Sequence, residues 1–336
     1  VAVPAVEGRA LNSDATLAAL SADPAGVLHD GRLTLAVQSV PAAVTDVSAA
    51  VDEANRLLAT TVTLAAYDPV RDEHFAWPVE PAIWGEWLRL SVDPADGFTW
   101  SLDRQIGVTY LDTLETEMGD GRYLDEDATL AALSETIQAQ EAKAVTQVRY
   151  PERRHTVQAG ETLSSIGFDY GIPYPWIQQL NPGVEALHVG QEIAIPAADA
   201  LLPLLVVPDK RIVVSLGEQR TRVYEGGQLK WDWVSSTGIA DSPTAPGVFQ
   251  VQSHDPNAYA GIWDLWMPSF MGIYRPVPTS DFMNGFHGFP TRGSAQLLWT
   301  GDLGRRVTYG CILLSSENAA VLYEWAEAGV VVEVRP

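Results

Sequence analysis

Cysteine is nearly absent from this chain. Cys311 is the single one in 336 residues, which excludes an intrachain disulfide framework and leaves one free thiol. Basic residues are scarce too, 21 Lys and Arg against 43 Asp and Glu, a formal net charge of −22. So acidic a surface repels nucleic acid and anionic membranes, and the expected partner is neutral or zwitterionic. No run of 18 or more uncharged apolar residues occurs, which argues against a membrane-spanning helix. The first residues, VAVPAVEGRA, lack the basic start and long apolar core of a signal peptide. Neither HExxH nor a Cys/His cluster offers a metal site, so no metal and no cofactor are expected.

What is present is a globular composition. A hydrophobic content of 46% over this length predicts two or three domains with proper cores. The acidity is concentrated in residues 1–150, with 24 acids against 9 bases, whereas residues 197–336 carry 14 against 10. An internal repeat organises the first half: residues 8–21, GRALNSDATLAALS, and residues 121–134, GRYLDEDATLAALS, agree at 11 of 14 positions at an offset of 113. Each copy reads as a helix capped by Asn12 or Asp125, with Leu17 and Leu20, or Leu130 and Leu133, on one apolar face. Strand-like runs follow, RLTLAVQ at 32–38 and KAVTQVR at 143–149. Residues 1–41 are therefore read as the end of a truncated repeat domain, and the natural protein is expected to extend further N-terminal, where a signal or anchor would sit. Residues 42–150 read as a complete α+β domain, with an Ala-rich helix from Asp46 to Leu58 and the strand TVTLAAY. Trp77, Trp84 and Trp87 are either a sugar-stacking groove or core.

Residues 153–196 carry a more specific pattern: a strand, a G-E-T-L turn into a helix, a second helix ending in Asn181-Pro182, and a strand preceded by V-G-Q. Thr162 is placed to cap the first helix, Gly171 to end it, and Pro173 to open the next. This segment resembles a LysM module. The resemblance implies binding to N-acetylglucosamine-containing glycans between the turn Gly160, Glu161, Thr162 and the loop Asn181, Pro182. His155 and His188 have no partner pattern and are read as structural. Residues 197–209, AADALLPLLVVPD, form an apolar connector expected to pack against a domain. Residues 42–150 resemble the YoaR-like domain, a candidate peptidoglycan-binding fold.

Residues 210–336 are strand-rich, with Gly226-Gly227 as a hairpin turn and a closing helix started by Ser316 and stopped by Gly329. Within them, NGFHGFP and TYGCILL place His287 and Cys311 in glycine-bracketed segments. A thiol becomes a nucleophile as its thiolate, which needs a histidine nearby and backbone N–H groups aimed at the developing oxyanion. A lone cysteine beside Ile-Leu-Leu is otherwise a buried hydrophobe. The pattern H-G, loop, [ST]-x-G-C-[IV]-x-[LM] resembles the active-site signature of YkuD-type L,D-transpeptidases, which remodel peptidoglycan, and TAPGVFQV and ENAAVLYEWAEAGVVVEV fit further blocks of that family. Many members have histidine before the Gly-Cys pair and arginine two residues after the cysteine. This chain has Tyr309 and Leu313. The separation of His287 from Cys311, 24 residues (311 minus 287), predicts a lid or specificity loop over 288–307.

The expected architecture is thus multidomain: an α+β N-terminal domain (42–150), a small βααβ LysM module, and a mainly-β sandwich of the YkuD type (210–336). The resemblance implies that His287, held by the Gly288 carbonyl, takes the Cys311 proton, that the thiolate attacks a stem tetrapeptide with release of D-Ala, and that a second stem's amine resolves the thioester to a 3→3 cross-link. Water in place of the amine makes an L,D-carboxypeptidase. The Gly310 and Cys311 amides, with Tyr309, are the implied oxyanion donors, and Trp266, Met267, Phe270, Tyr274, Thr308 and Leu313 the implied substrate contacts. A histidine cation and backbone donors are expected to lower the thiol pKa below about 8.5. His254 has no family counterpart. The location implied is extracytoplasmic, in the cell envelope or secreted. A non-catalytic wall-binding protein with a degenerate site is the open alternative.

Overall fold

The computed structural model describes residues 5–93, 97–184 and 186–336. Two compact units are found. One comprises Val1–Leu64, Trp77–Val108 and Leu130–Ala144, and the other Ala65–Ala76, Thr109–Thr129 and Val145–Pro336.

In the first unit, strand Gly8–Leu11 pairs antiparallel with Val37–Val40 around the helices Ser13–Ala22 and Pro24–Asp30. Asn12 caps its helix by accepting the Ala15 N–H at 2.9 Å, and Asp125 does the same for Ala128 at 2.8 Å, so the repeat has one local structure in both copies. The apolar faces differ. Leu130 is 8% exposed, packed where Gly107 of helix Arg104–Met118 leaves room for it, whereas Leu17 is 59% exposed. The predicted apolar face of the first copy is thus open. Trp77, Trp84 and Trp87 are all buried and belong to the core, which removes them as an open sugar platform. The helix expected from Asp46 spans Ser48–Leu57, with Asp46 accepting the Ser48 N–H at 2.8 Å.

In the second unit, strands Arg153–Thr156 and Glu192–Ile195 pair antiparallel around helices Leu163–Tyr170 and Tyr174–Leu180. Thr162 and Ser165 form a reciprocal capping box, and Gly171 ends the first helix at φ 70°. The connector is packed: Leu201 and Leu202 are buried, and Leu204 exchanges two 2.9 Å bonds with the Gln250 amide.

Two sheets follow. The first has the order Gln228–Val234, Arg220–Glu225, Val207–Ser215, Val330–Arg335, Gly247–Gln250, with only the Val207–Ser215/Val330–Arg335 pair parallel. Gly226 and Gly227, at φ 56° and 73°, make the turn between Arg220–Glu225 and Gln228–Val234. The second places Leu265–Tyr274 against Ser253–Ala260, Thr291–Arg292 and Asn284–His287, and the last of these beside Ile312–Leu313. The closing helix is Ser316–Trp325. Its cap is Ser315, which accepts the Asn318 N–H, one residue earlier than the sequence reading, because Ser316 is used to accept the Phe289 N–H at 3.1 Å. One apolar core runs from Ile166, Ile172 and Ile177 of the helix pair to Phe249, Phe286 and Leu314 of the sheets. Burying each such side chain contributes roughly 1.5–3 kcal/mol. Trp176 fastens the same junction by donating Nε1–H to the Arg275 carbonyl at 2.8 Å. Among the described residues no helix is long and apolar enough to cross a membrane.

Candidate active site

Strand Asn284–His287 runs parallel to Ile312–Leu313, with Phe286 opposite Ile312 and His287 opposite Leu313. That pairing brings the histidine beside the turn carrying Cys311, and both line one cleft of 470 Å³. His287 is 5% exposed. Its Nδ1–H donates to the Gly288 carbonyl at 2.7 Å, and the tautomer this bond selects leaves Nε2 with a free lone pair. Gly288 is required here, since a Cβ would lie 2.9 Å from Ser316 Cα.

Cys311 is 7% exposed, and its Sγ–H donates to Asn284 Oδ1 at 3.7 Å. Burial pushes the thiol up to about 11, opposed by the Gly285 backbone. Burial likewise pushes the imidazole down to about 4, opposed by the Gly288 carbonyl. The expected lowering of the thiol pKa is therefore corrected. The histidine that was to act as cation is itself desolvated, and at neutral pH the two groups rest as thiol and neutral imidazole. Asn284 in turn donates Nδ2–H to the Tyr274 hydroxyl at 3.0 Å, which also accepts the Ala245 N–H at 3.0 Å. Tyr274 is fully buried and stacks on Phe249 at 4.3 Å.

The turn at Cys311 is shaped by three hydroxyls. Ser242 Oγ–H donates to the Tyr309 carbonyl at 3.0 Å, Thr244 Oγ1–H to the Gly310 carbonyl at 2.9 Å, and Thr308 Oγ1–H to the Cys311 carbonyl at 2.6 Å. In a planar trans peptide the N–H points opposite to the carbonyl, so the Gly310 and Cys311 amides face away from their clamps. Among the described residues the Tyr309, Gly310 and Cys311 N–H groups have no acceptor. Gly310 sits at φ 110°, and a Cβ there would lie 2.7 Å from Asn284 Nδ2, so only glycine fits.

Met267 and Thr308 line the cleft, and Phe270 packs in a small cluster with Met267 and Cys311. Trp266 lies outside it, leaning on Tyr259 at 4.7 Å. Leu313 is fully buried and exchanges backbone bonds of 2.8 and 2.9 Å with Ser236, so its side chain is core. Tyr309 is half exposed and stacks flat on Trp263 at 5.7 Å. Residues 288–307 fold as a small hairpin and a 3₁₀ turn, from which Pro290, Arg292 and Leu297 reach the cleft. His254 is elsewhere, its Nε2 on the Ala326 carbonyl at 2.6 Å. In the βααβ module, Gly160 has φ 87°, Glu161 accepts from His155 at 2.8 Å, Asn181 spends its amide on Ile177 and Ala194 backbone, and Pro182 is exposed. Sequence reasoning missed Asn284, Ser242 and Thr244. The hydroxyl-bearing turn Ser242-Pro243-Thr244-Ala245-Pro246 was the available signal for the last two. Among the described residues no group of three His, Cys, Asp or Glu is placed to hold a metal ion.

Comparison with curated proteins finds no match. Among solved structures, the chain is similar to an L,D-transpeptidase from Mycobacterium smegmatis, at 20% identity and a TM-score of 0.32, covering 38% of this chain and 59% of that one. It is also similar to one from Mycobacterium tuberculosis H37Rv, at 20% identity and TM-score 0.32 over 38% and 58%. A mutant Enterococcus faecium L,D-transpeptidase aligns at 17% identity and TM-score 0.39 over 84% and 98%. The chain thus spans about three fifths of the length of the first two. Residues 155–196 match the family model of the LysM domain, and residues 209–334, which hold both His287 and Cys311, match that of YkuD, the L,D-transpeptidase catalytic domain.

Proposed function

We propose that the chain is a peptidoglycan L,D-transpeptidase acting through a Cys311 thioester. The observation that carries this is the sharing of one cleft by the single thiol and an imidazole fixed through Nδ1. The family match over residues 209–334 agrees with it. His287 Nε2 takes the thiol proton as Sγ attacks the carbonyl between the third stem residue and D-Ala. The tetrahedral oxyanion is held by the Gly310 and Cys311 amides, with Tyr309 N–H beside them, each donor worth roughly 3 kcal/mol. The C–N bond breaks, the amine takes the proton from His287, and D-Ala leaves. The amine of a second stem then attacks the thioester, the C–S bond breaks, and a 3→3 cross-link forms; water gives the L,D-carboxypeptidase outcome.

Because both groups rest neutral, proton transfer accompanies attack and does not precede it. The LysM match over residues 155–196 supports binding to peptidoglycan and, with it, an extracytoplasmic, envelope or secreted location; we place the glycan at the Gly160–Thr162 turn and the Asn181-Pro182 loop and read 42–150 as a further wall-binding domain. The raised thiol pKa favours the rival reading, a non-catalytic wall-binding protein. Incubation with purified disaccharide-tetrapeptides separates the two. Free D-Ala from the parent chain and none from Cys311→Ala supports the enzyme; none from either leaves the binding protein.

A further inference from the structure

The cleft around Cys311 is lined mainly by apolar side chains. With His287 neutral, one formal charge remains among the lining residues, the guanidinium of Arg292. The position two residues past the cysteine adds none, because Leu313 there is fully buried. Arg305 and Arg306 belong to the same loop, yet neither lines the cleft, and Arg305 is tied to Asp302 at 2.8 Å. In a chain of net charge −22, a single cation set into an apolar cleft has the form of a recognition group for an anion.

Arg292 is placed by the segment that carries the histidine. Three bonds fix that segment: the Gly288 N–H donates to the Pro268 carbonyl at 2.9 Å, the Phe289 N–H to Ser316 Oγ at 3.1 Å, and the Leu297 N–H to the Pro290 carbonyl at 3.0 Å. Thr291–Arg292 then pairs with Ala295–Gln296 through a turn at Gly293, φ 57°. The guanidinium is propped from one side, with Nη2–H on the Trp263 carbonyl at 2.7 Å and Nε–H on the Asp264 carbonyl at 3.3 Å. Its Nη1 has no partner among the described residues. The ion pair with Asp264 is long, 3.7 Å, and exposed, so it holds the guanidinium weakly. Asp264 also accepts the Tyr259 hydroxyl at 3.0 Å and keeps that bond when Arg292 turns to another carboxylate.

We propose that Arg292 selects the donor by binding the free carboxylate of the leaving D-Ala. The inference rests on the transpeptidase reading and names the residue that sets its specificity. In that reaction His287 gives its proton to the nitrogen of the leaving residue, so that nitrogen faces the imidazole, and the carboxylate follows it after a single carbon. The anion therefore arrives on the His287 side of the cleft, where the chain sets Arg292 five residues further on (292 minus 287). The unpartnered Nη1, with the remaining N–H of Nη2, presents the fork that a carboxylate takes in two parallel bonds. A donor whose last residue ends in an amide brings no charge and leaves the guanidinium to Asp264.

The test uses the full chain and two donors, a stem tetrapeptide ending in D-Ala and the same peptide ending in D-alaninamide. Release of D-Ala or D-alaninamide is followed by mass spectrometry and expressed as the ratio of the two kcat/KM values. The parent chain is expected to favour the carboxylate donor about thirtyfold. Arg292→Gln is expected to lose most of that ratio, through the carboxylate donor, and Arg292→Lys to recover part of it, since lysine keeps the charge without the fork. The preference of the parent chain should also shrink as salt rises from about 0.05 to about 0.5 M, a reading that needs no variant. An unchanged ratio in Arg292→Gln, with both donors slowed equally, would make the arginine a brace for the Trp263 turn and overturn the proposal alone. A parent chain that releases both products with no preference, or with one indifferent to salt, overturns it as well. Release of neither product from the parent chain overturns the transpeptidase reading and the proposal together.

Discussion

Cys311 donates its Sγ–H in a hydrogen bond to Asn284, three residues upstream of His287, at an Sγ to Oδ1 distance of 3.7 Å. The acceptor is neutral, so nothing at rest draws the proton off, and burial keeps it on the sulfur. Asn284 is bound on its other side to Tyr274, itself bound by the Ala245 amide, so the thiol is aligned by a buried chain of hydrogen bonds.

Gly310→Ala should disrupt this chain directly. Its Cβ would collide with the Asn284 amide, at a φ that alanine tolerates poorly. A stability loss of about 1–3 kcal/mol and loss of acylation are expected, measured by urea unfolding and by D-Ala release.

Thr244→Val keeps volume and removes the donor that holds the Gly310 carbonyl. The amide in that peptide plane is the proposed oxyanion donor, so the effect belongs in kcat with KM little changed, roughly tenfold, the loss of part of one donor. Thr244→Ser should recover most of it. A purely structural threonine would lower stability without this division between kcat and KM.

Much of the scaffold was legible because its signals are local. Asn12, Thr162 and Gly226-Gly227 act within a few residues of themselves, through caps and turn geometry. The His287 and Cys311 neighbourhood was legible through a spaced pattern. What was not legible depends on contacts distant in sequence. Ser242 and Thr244 meet residues 309–311 only after folding. Ser316 lost the cap to Ser315 because Phe289 claimed it. Leu17 and Leu130 have nearly the same local sequence and opposite exposure. The thiol pKa went the wrong way for the same reason, since the count of nearby donors ignored the burial they impose.

The pH dependence follows from those two shifts. His287 has a folded pKa of about 4, below its ordinary 6.5, so its contribution to stability is present above pH 6.5 and is lost as pH falls toward 4. Cys311, raised from 9.0 to about 11, contributes below pH 9 and loses that contribution as pH rises toward 11. Urea midpoints measured across pH should show a steeper acid-side decline for the parent chain than for His287→Gln, amounting to about 3 kcal/mol at most. Parallel curves would contradict the buried neutral imidazole.

The LysM helices and the sheets share one core, so residues 153–336 should melt as a single transition in calorimetry. Trp176→Ala, which removes the bond to Arg275 and a half-buried ring, should lower the whole transition by several degrees. Two separated transitions would mean that the module folds independently of the catalytic domain.

The central claim is that Cys311 is an acylatable nucleophile served by His287. Intact-protein mass spectrometry after incubation with a carbapenem reads this without the natural substrate. One drug-sized adduct is expected, mapped to Cys311, with none on His287→Ala over the same time. A folded chain whose thiol resists both the carbapenem and iodoacetamide, and alkylates only after unfolding, would contradict it.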